Sequence, residues 1–197
     1  KFVEVMSFPA LSASGGGSVE TVAQAIIDAT NAGADVISLS LGGFHANPPR
    51  AEVLAVNYAR SKNVIVIAAA GNANQSAKTQ SPANIAGVIS VAATDGQLNK
   101  ASFSNTNAEL RWGLSAPGVD VLSLKPGDRY VRQSGTSMAT PMVSGLVALM
   151  RAYRPNLTAK QAYALIETTA CPTKSAGQIG PQINPSAAMR RLLKRPS

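Results

Sequence analysis

The sequence predicts an α/β fold in which a doubly wound, mostly parallel β-sheet carries helices on both faces. Two observations lead there. The continuous apolar runs VIVIAAA at 64–70 and VISVAA at 88–93 fit strands buried on both faces of a parallel sheet better than half-exposed ones. Segments of helical periodicity alternate with such runs, so the chain reads β-α-β-α-β-loop-β, the order of a crossover-connected sheet.

Taken in order, FVEVM at 2–6 predicts a short buried strand, and Pro9 followed by SASGGGS at 12–18 predicts a flexible loop. Ser18 is placed to cap a helix whose inner face is Val19, Val22, Ala23, Ile26 and Ile27, and Asn31 with Gly33 ends it. DVISLSL at 35–41 is β-branched and apolar enough for a strand, which Gly42 and Gly43 break. Ala51, Leu54, Ala55 and Tyr58 mark a second helix. The run 64–70 stops at Gly71 and Asn72, and a polar loop, 73–81, leads to Pro82 and the strand 88–93.

The turn-rich stretch 95–134 predicts irregular structure with short strands, SAPGVDVLSL at 115–124 reading as a turn followed by a strand. GTSMATPMVSGLV at 135–147 passes from a polar turn into a helical pattern, with Ser137 at the helix start. Pro141 lies one turn in, where its missing N–H and its ring distort a helix. Residues 157–169 carry a capping box of Thr158 with Gln161 and a staple of Leu157 with Ala162. Asn184 followed by Pro185 opens the last helix. No internal repeat, low-complexity tract or inner boundary divides 1–197, which reads as part of a single domain.

Composition narrows the function classes. Eighteen Lys and Arg against ten Asp and Glu give +8, a balance that suits an anionic partner. The basic residues are scattered, however, and only the tail, with Arg190, Arg191, Lys194 and Arg195, is locally dense. With few aromatics to stack bases, nucleic-acid binding is not the expectation. A single cysteine, Cys171, excludes an internal disulfide framework. No apolar run reaches the about eighteen residues that span a bilayer. The chain opens on Lys1 and enters an apolar run at once, which reads as a processed or cut end.

The candidate chemistry centres on Ser137. A helix N-terminus presents N–H groups without intrahelical acceptors, so an oxygen turning negative beside Ser137 would be stabilised there. A nucleophilic serine also needs a base, a group to orient the base and further donors for the oxyanion. Asn72, at the C-terminal end of a predicted central strand, projects to the sheet edge where ligands of such folds bind, and its side-chain amide is a candidate donor.

GTSMATPMVSGLVALM at 135–150, DVISLSLGG at 35–43, VIVIAAAGN at 64–72, SPANIAGVISVAATD at 81–95, ASFSN at 101–105 and LSAPGVDVLS at 114–123 resemble the subtilisin-like serine proteases, in that family's order. The resemblance implies Ser137 as nucleophile and Asn72 as oxyanion-hole donor. It implies a substrate groove with Ser40, Leu41 and Gly42 on one wall and Ala69, Ala70 and Gly71 on the other, Thr136 beside the nucleophile, and Gly15, Gly16 and Gly17 lining outer subsites. An extended peptide would lie there as an added strand, and glycines let backbones approach closely. The loop 73–81, with Gln80 or a neighbour, would floor the pocket for the residue before the cut. The family also suggests secretion, a propeptide or protein inhibitor as partner, no catalytic cofactor, and a weak structural cation site, Ca2+ for instance, on the carbonyls of Ala83, Ile85 and Val88.

The family's catalytic Asp and His precede the strand that here opens at Phe2, and neither is in the sequence. The lone histidine, His45, follows the Gly42-Gly43 turn and reads as a surface-loop residue. Asp28, Asp35, Asp95, Asp120 and Asp128 match other places in the family's pattern. The expectation is therefore a serine endopeptidase whose Asp and His arrive on an N-terminal segment, linked or held as a companion chain, with the fold incomplete without it. A pseudoprotease or interaction domain is the alternative.

Overall fold

A computed structural model describes residues 3–194. Strands β1 (Val36–Leu39), β3 (Ile65–Ala69), β5 (Ile89–Thr94) and β6 (Gly113–Pro117) form one parallel sheet in that spatial order. The pairings Ile37 with Val66, Ile67 with Ile89 and Val91 with Leu114 fix its register. Two short strands, β2 (Gly43–Phe44) and β4 (Gln80–Ser81), pair antiparallel beyond the end of β1. A hairpin of β7 (Val121–Lys125) and β8 (Arg129–Gln133) stands exposed ahead of the Ser137 helix.

Alternation along β3 explains why both faces need helices. Ile65 and Ile67 point into one core with Val143, Val147 and Met150 of α3 (Thr136–Tyr153), beside Ile166 of α4 (Ala159–Glu167) and Leu192 of α5 (Pro185–Leu193). Val66 and Ala68 point into the other core with Val22 and Ile26 of α1 (Val19–Asn31) and Val56 of α2 (Arg50–Ser61). A strand buried on both faces has no polar side, which is why 64–70 is apolar throughout.

The helix signals hold. Ser18 caps α1 in a capping box with Thr21, Thr158 caps α4 in one with Gln161, and the Asn184 side chain accepts from the Ala187 N–H at 3.0 Å with Pro185 in the first turn. Leu157 and Ala162 share one core, as the predicted staple requires.

Two expectations need correction. Residues 3–6 form no strand, and Val5 is 90% exposed; Phe2 lies outside the described residues. A strand exists only by pairing, and no described residue pairs with this segment or with the outer edge of β1. The stretch 115–124 is not a turn followed by one strand. Ser115 and Ala116 lie inside β6, the fourth strand of the main sheet, and the turn falls at Gly118–Asp120. Turn residues on both sides masked a strand only five residues long.

Candidate active site

The parallel strands deliver their C-terminal ends to one edge of the sheet, and the candidate residues gather there. The N-cap of α3 is Gly135, so Ser137 occupies the second helical position, one residue further in than the sequence predicts. Ser137 lies half-buried, and its Oγ donates to the Ser40 carbonyl at 3.1 Å. The Ser40 hydroxyl in turn donates to the Ser137 carbonyl at 2.8 Å. Pro141 explains that second bond. It has no N–H to give the carbonyl four residues earlier, so the Ser137 carbonyl is free to accept from the groove wall. A helix breaker thereby links the serine's helix to the loop after β1.

Asn72 follows Gly71 at the end of β3. Its Oδ1 accepts from the Thr136 N–H at 2.8 Å and from the Thr136 hydroxyl at 2.9 Å. Both are donors, so the amide has one orientation, with Oδ1 toward Thr136 and Nδ2 available to a third party. The buried Thr136 hydroxyl also accepts from the Gly71 N–H at 3.2 Å. Thr136 therefore ties the Ser137 helix to the Asn72 loop, a part that its position beside Ser137 does not reveal in the sequence.

That loop is held from below by Asn105, a fully buried side chain. Its Oδ1 accepts from the N–H groups of Ala73 and Gln75, each at 3.0 Å, its Nδ2 donates to the Ala70 carbonyl at 2.8 Å, and its backbone N–H donates to the Gly71 carbonyl at 2.9 Å. Lys100 holds the outer side, its ammonium donating to Asn74 Oδ1 at 2.7 Å and to the Ser104 carbonyl at 2.8 Å. Burial draws the Lys100 pKa below its ordinary value. ASFSN carries Asn105 as a string, but only the fold shows that its amide meets this loop.

The two groove walls meet across Gln80. A Cβ on Gly42 would come within 2.6 Å of Gln80 Nε2 and 2.7 Å of the Ser81 carbonyl, and one on Gly71 within 3.0 Å of Gln80 Oε1 and onto Asn105 Nδ2. Gly71 also has φ +102°, in the left-handed region, so glycine is required there twice over. Ala69 and Ala70 are buried, Ser40 and Gly42 exposed, and Leu41 half-buried. Phe44, paired with Gln80 in the β2–β4 ladder, is 67% exposed at the rim.

Other candidates lie apart from this corner. Gly15, Gly16 and Gly17 sit in an exposed turn closed by Ser12 N–H to the Gly16 carbonyl at 2.8 Å, and the neighbouring Ala10 carbonyl accepts from Thr21 Oγ1. His45 is anchored through its backbone, its N–H donating to the Thr79 carbonyl and its carbonyl accepting from Asn84 Nδ2. Ala83, Ile85 and Val88 lie in the turn after Pro82, where the Ile85 carbonyl already accepts from the Val88 N–H at 3.1 Å and Arg60 donates to the Ala86 carbonyl at 3.0 Å. Cys171 is a half-buried free thiol facing Asn184 Nδ2 at 3.6 Å. No helix among the described residues is long and apolar enough to cross a membrane.

A serine at a helix N-terminus, beside an oriented amide donor and glycine-walled strand ends, is the constellation of a nucleophilic hydrolase on an α/β sheet. The subtilase family model of peptidase S8 matches residues 2–188, and the chain belongs to that family of serine proteases. It is 39% identical over 188 residues to subtilisin Savinase of Lederbergia lenta, covering 95% of this chain and 68% of that protein. To the thermophilic serine proteinase of Bacillus sp. (strain AK1) it is 44% identical over 168 residues, 84% of this chain and 40% of that protein. The chain thus spans well under the full length of these curated relatives. Among solved structures, the prenylagaramide maturation protease PagA superposes with a TM-score of 0.81 at 29% identity, over 91% of this chain and 70% of that one. The self-cleaved protease domain of PatA gives 0.78 at 33% identity, over 87% and 67%.

Proposed function

We propose that this chain carries the nucleophile, the oxyanion hole and the peptide groove of a serine endopeptidase, and that an N-terminal segment, linked or held as a companion chain, supplies the Asp and His. The observation that supports it best is the orientation of Asn72. Thr136 occupies Oδ1 twice, which leaves Nδ2 to donate to an oxyanion formed on attack by Ser137. The extended polypeptide lies between Ser40–Gly42 and Ala69–Gly71 and uses backbone groups as an added strand does, with Gly15–Gly17 reached only further out.

In the reaction, the companion His takes the Ser137 proton as Oγ attacks the peptide carbonyl, and the companion Asp holds that His in the right tautomer. The carbonyl oxygen becomes negative against Asn72 Nδ2 and the N–H groups at the start of α3. Collapse expels the amine, which leaves with the proton from His, and water then hydrolyses the acyl-enzyme. Ser137 Oγ must leave the Ser40 carbonyl to meet the His.

Gln80 sets the residue before the cut in this reading. Its amide lies against both walls, so small or hydrogen-bonding side chains are favoured over large aromatic ones. A propeptide or protein inhibitor would occupy the same groove, and secretion follows the habit of the family. A structural cation such as Ca2+ on the Ala83, Ile85 and Val88 carbonyls would be weakly held. The donors are neutral, one is already engaged, and Arg60 brings positive charge to the turn. No catalytic step passes through it.

One observation favours the inactive alternative, a pseudoprotease or interaction domain. The Ser137 hydroxyl is hydrogen-bonded to a backbone carbonyl, and the lone histidine is anchored elsewhere. Peptide hydrolysis by the protein made with its native upstream sequence decides between the two. Turnover that Ser137→Ala abolishes supports the endopeptidase, and a well-folded protein that binds peptides without cleaving them supports the binding module.

A further inference from the structure

We propose that Asn105 is the positioning residue of the oxyanion hole: its one buried side chain clamps the backbone on both sides of Asn72 and so sets where the Asn72 amide points. The inference rests on the protease reading of the site.

Asn72 is exposed at a loop, and an exposed side chain on a loop aims accurately only if the backbone beneath it is fixed. Asn105 fixes it at both neighbours. The Gly71 carbonyl accepts from the Asn105 backbone N–H, and the Ala73 N–H donates to Asn105 Oδ1. The same Oδ1 takes the Gln75 N–H one turn further on, and Nδ2 closes on the Ala70 carbonyl at the strand end. Loop 70–75 therefore places four backbone groups on one residue, and three of them use its side chain.

Burial gives those bonds their weight. Asn105 is fully buried, and a backbone group that loses its partner inside a protein is left unsatisfied rather than handed to water. The close contact with Gly71 adds a packing constraint, since a Cβ at 71 would fall onto Asn105 Nδ2. Thr136 then completes the arrangement from the other side by fixing Oδ1 of Asn72. Asn105 sets the backbone and Thr136 sets the amide rotation. Asn105 touches no reacting atom in this scheme and acts through Asn72.

The test is a double-mutant cycle on the protein made with its native upstream sequence, with Asn105→Ala, Asn72→Ala and the double variant, and kcat normalised to the fraction labelled by a fluorophosphonate. Asn105→Ala should lower kcat by about tenfold to a hundredfold, a fraction of what removing the donor itself costs, with KM within about twofold. In the Asn72→Ala background the same change should cost less than about threefold, because the group it positions is gone. Equal losses in both backgrounds, or an unchanged kcat, would overturn the proposal.

Should Asn105→Ala not fold, Asn105→Asp keeps the acceptor for Ala73 and Gln75 and loses the donor to Ala70, and a smaller drop in kcat with the same background dependence is expected. Amide hydrogen exchange gives a second readout. The Ala73 and Gln75 N–H groups should exchange faster in Asn105→Ala while those of β5 do not, and unchanged protection at 73 and 75 would refute the clamp. A parent protein that neither cleaves peptides nor takes the label would refute the protease reading instead, and the exchange rates would then judge the clamp alone.

Discussion

The corner around Asn72 and the opening segment 3–17 stand at opposite extremes of one chain. At the corner, six residues from four distant stretches, Ser40, Gly71, Asn72, Asn105, Thr136 and Ser137, satisfy one another through hydrogen bonds between 2.8 and 3.2 Å. In the opening segment Val3, Val5 and Met6 are exposed without strand partners, beside a β1 whose outer edge has none among the described residues. The difference is that the corner finds its partners among the described residues, and residues 3–6 find no strand partner there.

That contrast can be broken or sharpened by measurement. The largest effect belongs to Ser137→Ala, which should abolish peptide turnover in the protein with its upstream sequence and leave its thermal melting unchanged. Residual turnover that an inhibitor of serine hydrolases still blocks would remove Ser137 as the nucleophile. Next comes Asn72→Ala, expected to cost about a hundredfold to a thousandfold in kcat, a range measured for the side-chain oxyanion donor of subtilisin itself and so borrowed from the family. Undiminished turnover would take Asn72 out of the mechanism.

Stability separates the two regions next. Ile67→Ala, at a fully buried site in β3, should cost about 2–5 kcal/mol in urea titrations. Val5→Ser should stay within about 0.5 kcal/mol in the chain alone, where Val5 is 90% exposed, and rise to about 1–2 kcal/mol when the upstream sequence is present and covers it. Equal small effects in both proteins would contradict a covering segment. The smallest effect is that of Ca2+, whose removal by chelation should leave kcat unaltered and lower the melting temperature by no more than about 2 °C.

The fold was legible wherever a local signal decided it. Ser18, Thr158 and Asn184 cap the helices they mark, and the runs 64–70 and 88–93 are the doubly buried strands. FVEVM has the pattern of a strand, but pairing is not a local property. β6 went unseen because five residues between turn signals carry little periodicity, although its register with β5 makes it a full member of the sheet.

The candidate site divides in the same way. The placement of Ser137 at a helix start and of Asn72 just past a strand end was readable, because both follow from neighbouring residues. Thr136, Ser40 and Asn105 were not readable as parts of a network. Their meaning is a hydrogen bond across 30 to 97 positions of chain, between Gln75 and Asn105 at the near extreme and Ser40 and Ser137 at the far one. Pro141 lies between these cases. The sequence marks it as a break, and the structure shows that the break frees the Ser137 carbonyl for Ser40.

The central proposal is that Ser137 and Asn72 form a prepared nucleophile and oxyanion hole to which an N-terminal segment brings the proton-handling residues. Fluorophosphonate labelling tests it most directly, comparing the 197-residue chain alone with the protein that retains its upstream sequence. Rapid labelling at Ser137 in the second and none or very slow labelling in the first is the predicted result. Equal labelling of both, or of neither, would contradict it.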